Sequence, residues 1–196
     1  MPVNRSVPDV AQKRKNWNGL MSGFKVSDLV FLDESGCNTD MTRRYAYSLG
    51  GSRAVDSAPL SKPKNTTILS SIQLDGTLHY TTFSGGTTVE RFKRYLETDW
   101  LPHLNGNSVL IMDNMKSHHA KAVRNLLDSS EIRYIYLPPY SPDLNPIEKL
   151  WSKVKAFLRK FKARTLDALP NAIQNAFHAV TVSDCSGRFR FCGYAL

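Results

Sequence analysis

Apolar and polar positions along this chain fall into short blocks with two different periods. Residues 29–32 (LVFL) are apolar without a break and give way to Asp33 and Glu34. An unbroken run of this length predicts a strand buried on both faces, ending where the acids begin. Residues 36–55 are polar and Gly-rich with aromatic interruptions, which predicts a loop or irregular hairpin. Residues 65–83 (NTTILSSIQLDGTLHYTTF) hold two β-rich runs around Asp75-Gly76, a strong local hairpin signal. The period then changes. Val89, Phe92, Leu96 and Trp100 recur at helical spacing behind a Thr87 or Thr88 cap.

A second unbroken run, VLIM at 109–112, ends at Asp113 and predicts another buried strand. A short helix follows, with Ala122, Val123, Leu126 and Leu127 toward the core, then a strand over 132–137 (IRYIYL). Residues 138–146 (PPYSPDLNP) cannot be helix or central strand, because the prolines remove backbone donors. Asn145 is predicted to cap a helix with Pro146 at its first position. That helix carries Ile147, Leu150, Trp151, Val154, Leu158 and Phe161 on one face. A last helix is expected over about 166–180, followed by an irregular tail. The polar residues 1–27 read as a solvated lead-in, either helix or disordered arm. The element order predicts an α/β domain over 28–182, a mixed sheet flanked by helices, with the lead-in at 1–27 and the tail at 183–196.

Charge is more telling than composition. The 196 residues are 41% hydrophobic, an ordinary globular value. However, 26 Lys and Arg oppose 17 Asp and Glu, a net charge of +9 that favours a polyanionic partner such as nucleic acid. Cys37, Cys185 and Cys192 match neither a zinc pattern nor a disulfide framework, which predicts a reducing cytoplasm. No apolar leader and no membrane span is expected, since no apolar run is long enough.

Three acids stand out by context. Asp33 and Asp113 each follow an apolar strand, and Glu148 opens the long basic helix. In α/β sheets, sites gather at the carboxyl ends of strands. Three converging carboxylates repel one another unless cations neutralise them, and oxygen ligands select hard ions such as Mg²⁺ or Mn²⁺. Two such ions about 3.5–4 Å apart can clamp the attacking and leaving oxygens of a phosphodiester. Each acid also has a local reading. Asp33 could form a turn, Asp113 an Asx-turn, and Glu148 a capping box with Asn145. Asp143, just after Pro142, reads as a turn residue.

The stretches FLDESGCNTDMTRRYAYSLGGSR, LIMDNMKSHHAKAVRNLL and YLPPYSPDLNPIEKLWSKVKAFLRK resemble bacterial insertion-sequence transposases of the mariner superfamily. The resemblance runs from about Phe31 to the C-terminus. It implies a ribonuclease-H-like catalytic domain whose Asp, Asp, Glu metal triad is Asp33, Asp113 and Glu148. It implies two Mg²⁺ or Mn²⁺ ions, double-stranded DNA as substrate (element ends and target), and a dimer when assembled on DNA. A bacterial, nucleoid-associated cytoplasmic protein is expected. Family members carry an N-terminal helix-turn-helix region. Too few residues precede the first catalytic strand for one, so a catalytic half with a separate DNA-binding half is expected. A ribonuclease-H-like nuclease and an inactive DNA-binding remnant are the alternatives.

Supporting roles follow. Asn114 and His118 recur in the family's Asp-Asn…His pattern, and the prolines around Asn145 aim Glu148. Lys149, Lys153, Lys155, Arg159 and Lys160, with no acid among them, predict a contact with the DNA backbone. Arg43, Arg44 and Arg53, in the loop after Asp33, are second candidates. Trp151 reads as core.

Overall fold

The structure, a computed structural model, describes residues 8–43, 45–57, 59 and 63–194. One five-stranded sheet runs through it in the order β3-β2-β1-β4-β5. The strands are β1 (Leu29–Asn38), β2 (Asn65–Ile72), β3 (Leu78–Ser84), β4 (Val109–Met112) and β5 (Arg133–Tyr136). β1, β2 and β3 pair antiparallel, while β4 joins β1, and β5 joins β4, in parallel. The sheet is therefore mixed, as the element order predicts.

Helices cover both faces. Phe31, Val109 and Ile111 share one core with Trp17, Leu150, Val154, Ile173 and Phe189, drawn from α1 (Pro8–Met21), α4 (Pro146–Phe161), α5 (Ala168–His178) and α6 (Val182–Phe191). Val30, Leu32, Leu110 and Met112 face the opposite way, onto Phe92 of α2 (Val89–Tyr95) and Val123 and Leu127 of α3 (Lys121–Ser129). Burial on both sides explains why residues 29–32 and 109–112 are apolar throughout rather than alternating.

Several expectations need correction. β1 does not end at Asp33. The antiparallel partner β2 carries it on to Asn38, so Asp33 lies within the strand, one residue past the last position paired with β4. The lead-in is not simply solvated: α1 buries Val10, Trp17 and Met21. The tail is not irregular, because Thr181 and Asp184 form a capping box that starts α6, and Phe189 packs edge-on against Phe31. Both elements bury few apolar residues per turn, so sequence periodicity carries little signal for them. Ala122 is exposed, and Phe161 is 43% exposed at the end of α4. Thr88, rather than Thr87, caps α2, accepting from the Arg91 amide at 3.3 Å. No helix of the described residues is long and apolar enough to cross a membrane.

Candidate active site

The parallel register builds the site. Leu32 pairs with Met112, so Asp33 and Asp113 are the next residues on neighbouring strands at the carboxyl edge of the parallel sheet. Asp33 shares the face of Phe31, toward α4. It is 7% exposed, and its Oδ2 accepts the Trp151 Nε1–H at 3.2 Å, while its Oδ1 accepts the Glu34 amide at 2.8 Å. Burial pushes its carboxyl up from 3.8 to about 7, and the charges of Asp113 and Glu148 push the same way.

Asp113 begins the loop after β4. Its Oδ1 accepts the Met115 amide at 2.9 Å, so the Asx-turn reading is correct as local structure. The same oxygen meets His118 Nδ1 at 2.8 Å. His118 is fully buried, stacked on Phe92, and its Nε2 lies 3.2 Å from Glu34 Oε2. Both contacts are ion pairs to the charged ring, and Nδ1 also lies 3.4 Å from the Asp113 backbone carbonyl oxygen. Burial pulls the imidazole down, but Asp113 and Glu34 outweigh it and hold the ring up at about 9, charged at neutral pH. Burial alone would lift Asp113; the His118 bond, the Met115 amide and the nearby histidines hold it below the ordinary value.

Glu148 stands in the first turn of α4 and is exposed. Asn145 occupies the N-cap position, but its side chain makes no cap bond, and its buried Oδ1 is unpartnered. The capping-box reading of Glu148 therefore fails, and its carboxylate is not spent on the helix start. Burial raises Glu148, Lys155 lowers it, and Asp113 raises it again. Glu148 and Asp113 line one cavity of about 470 Å³ with Asn114, Tyr140 and Pro139. Asp33, which is buried, does not line this cavity. Among the described residues, no three His, Cys, Asp or Glu side chains stand close enough to enclose a metal ion. The carboxylates thus sense one another's charge without closing into a ligand cage.

Other expected residues separate into groups. The Asn114 amide donates to the Leu137 carbonyl, tying the loop after β4 to the end of β5, and its Oδ1 meets exposed His119. Lys155, seven residues beyond Glu148, lies on the same helical face and within its electrostatic reach. Arg159 shares a groove with Arg43, and Arg43 shares another with Lys160. Lys153 is different: it pairs with Asp184 of α6. Lys149 lies over the Phe191 ring at 4.3 Å. Arg53 is exposed on the long β1–β2 connection, and Arg44 falls outside the described residues.

Two residues of the site carry no local sequence signal for their role there. Glu34 sits on the opposite face from Asp33 by strand alternation, and nothing local reveals that His118 meets it there. Trp151 packs in the core as its helical position predicts, and from one turn beyond Glu148 it also donates its N–H to Asp33.

Comparison with known proteins identifies the family and the fold. Residues 28–170 match the DDE superfamily endonuclease family. The Tc1 transposase of Caenorhabditis elegans is 32% identical over 83 residues, 42% of this chain and 30% of that protein. The Tcb2 transposase of Caenorhabditis briggsae is 29% identical over 75 residues, 38% of this chain and 28% of its own length. The chain thus spans under a third of either relative. In fold, it is similar to the Mos1 mariner paired end complex with Mn, with a TM-score of 0.76 and 19% identity over 94% of this chain and 59% of that one. It is also similar to the Mos1 transposase catalytic domain with Raltegravir and Mg, at a TM-score of 0.68 and 16% identity over 94% and 89% of the two chains. The family match spans most of the chain and the mixed sheet agrees with it in fold: this chain belongs to the DDE superfamily endonucleases.

Proposed function

We propose that this chain is a transposase catalytic unit that cleaves DNA at the ends of a mobile element and joins the freed 3′-hydroxyls to target DNA. The observation that carries the reading is the shared electrostatics of Asp33, Asp113 and Glu148, three acids from separate elements at the carboxyl edge of the parallel strands. Structural neighbours are complexes of a transposase with transposon ends, which supports DNA as the substrate.

The three carboxylates would hold divalent cations, Mg²⁺ or Mn²⁺. The donor chemistry fits, because all donors are hard oxygens. Burial lifts Asp33 first and repulsion from Asp113 and Glu148 adds to it; a bound cation would offset both. Two bound ions would supply Lewis acidity for the attacking and leaving oxygens. The chain's own residues do the rest. Trp151 orients Asp33, the His118–Glu34 pair orients Asp113, and the proline-rich turn sets the direction of Glu148. Lys155, Arg159 and Arg43 form a basic track leading away from Glu148, suited to a DNA backbone. A separately supplied N-terminal half for end recognition and a dimer on DNA belong to the same proposal.

Replacing Asp113 by Asn is the direct test. The variant should keep its circular dichroism spectrum and lose Mg²⁺-dependent nicking of plasmid DNA. Nicking at the wild-type rate would end the assignment.

A further inference from the structure

Asp143 lies five residues before Glu148, inside the short 3-10 turn Pro142–Leu144 that leads into α4. It is not a competing metal ligand by placement, because it faces the N-terminal helix. Arg14 of α1 grips it with two nitrogens: Nη1 donates to Asp143 Oδ1 at 3.1 Å and Nη2 to Oδ2 at 2.5 Å. Nη1 also donates to Ser141 Oγ at 2.5 Å. One residue on, the Leu144 carbonyl accepts the Tyr194 hydroxyl at 2.7 Å. That hydroxyl in turn accepts the Trp17 Nε1–H at 3.1 Å. Tyr194 is buried, tilted against Phe31 and Phe189.

Residues 141, 143 and 144 are therefore held from outside by side chains from the two ends of the chain. Both holders lie beyond the 28–170 stretch that matches the family. The first turn of α4 needs such support, because its N-cap side chain forms no cap bond. Between the held turn and Glu148 the backbone is continuous in hydrogen bonds: Asn145 N–H donates to the Pro142 carbonyl at 3.2 Å, and Glu148 N–H to the Asn145 carbonyl at 3.2 Å. A planar guanidinium fork fixes direction as well as distance. A site carboxylate is held accurately only if its support is stiff.

We infer that Arg14 and Tyr194 are positioning residues that aim Glu148. The inference rests on Glu148 being a metal-site carboxylate, as proposed above. It assigns the N-terminal helix and the C-terminal tyrosine a part in the chemistry, acting through the turn and touching neither DNA nor metal. Removing either anchor should loosen the start of α4 and weaken divalent-cation binding, while leaving DNA affinity unchanged.

The test uses the full chain with Arg14→Ala, Tyr194→Phe (which removes only the hydroxyl), Glu148→Gln, and Lys13→Ala as a control on the same helix. Hydrogen–deuterium exchange in metal-free buffer reads the turn directly. Amides of residues 143–150 should exchange on the order of tenfold faster in the Arg14 and Tyr194 variants and unchanged in the Lys13 variant. Mn²⁺ titration followed by electron paramagnetic resonance reads the site. The apparent dissociation constant should rise roughly tenfold or more, as for other residues that orient metal ligands. Anisotropy of a labelled duplex in EDTA should not move. The swap Arg14→Glu with Asp143→Arg should recover part of the Mn²⁺ affinity that either single change loses. Unchanged exchange, or faster exchange with wild-type Mn²⁺ affinity, overturns the inference while leaving Glu148's role intact. If Glu148→Gln itself binds Mn²⁺ like the wild type, the assignment of Glu148 falls first and the inference falls with it. Should Arg14→Ala fail to fold, the Tyr194→Phe arm decides alone.

Discussion

Trp151 donates its indole N–H to Asp33 across the interface between α4 and the sheet, at 3.2 Å, from a side chain only 4% exposed. The bond links the helix that bears Glu148 to the strand that bears Asp33. Trp151→Phe keeps the apolar body and deletes the donor. A hydrogen bond contributes roughly 0.5–1.5 kcal/mol to a neutral acceptor and roughly 1.5–3 kcal/mol to a charged one, and the Asp33 carboxyl lies at about 7, so stability near neutral pH should fall by on the order of 1–2 kcal/mol once the phenyl ring repacks. Nicking at saturating Mg²⁺ should drop about tenfold because Asp33 loses its orienting partner. Urea melts and plasmid nicking rates check the two effects. Full activity in the variant would mean the indole is merely core.

Asp33 makes stability depend on pH in the unusual direction for an acid. Its carboxyl is raised from 3.8 to about 7. Between those values the folded chain holds a proton that the unfolded chain has released. Stability therefore falls as pH rises through that window. In EDTA, the wild type should lose on the order of 3 kcal/mol from this group between pH 4 and pH 7. Asp33→Asn should flatten that slope and be the more stable protein at pH 8, while being inactive. Denaturation midpoints at several pH values measure it. An equally steep slope in the variant would assign the dependence to other groups.

The contrast between Trp151 and His118 indicates how far the sequence could be read. Trp151, Leu150 and Val154 announce their burial by helical period, and the runs at 29–32 and 109–112 announce strands covered on both faces. Those signals are local, so the buried strands, the helices between them and the acids that follow or open them are legible in the sequence, although the extension of β1 past Asp33 is not. Which carboxylate His118 meets is set by register between β1 and the loop after β4, and no local pattern encodes it. The same holds for Lys153. Its own helix contains no acid beyond Glu148, but α6 brings Asp184 to it from outside. The lead-in and tail are harder to read, because their buried positions (Val10, Trp17 and Met21 in one, Cys185, Arg188 and Phe189 in the other) are sparse or filled by cysteine and arginine, while Leu20 and Phe191 are exposed.

His118 lies between Glu34 and Asp113, so its removal strands two acids in a site where it supplied the charge. His118→Ala should cost on the order of 3–5 kcal/mol, the usual penalty for breaking a buried pair from one side. The double variant His118→Ala, Glu34→Ala should be less destabilised than the single one, because one orphaned charge is gone. A double-mutant cycle by chemical denaturation gives the coupling. Additive losses would show that Glu34 and His118 are neighbours without an energetic link.

The basic face of α4 divides into residues already engaged and residues available to an anion. Lys153 is paired with Asp184, whose carboxyl burial would raise but which the Lys153 and Thr181 bonds hold well below the usual range. Lys155 and Arg159 follow Glu148 along one face, and Arg43 meets Arg159 across a groove. Lys153→Ala should therefore lower stability, by about 1 kcal/mol at most given the partial exposure of the pair, and leave duplex affinity nearly unchanged. Arg159→Ala should do the reverse, weakening binding to any duplex sequence and reducing the slope of log K against log salt by about 1. Anisotropy titrations across a salt series separate the two. If Lys153→Ala reduces the salt slope as much as Arg159→Ala, the ion pair opens on DNA and the whole helix face makes contact.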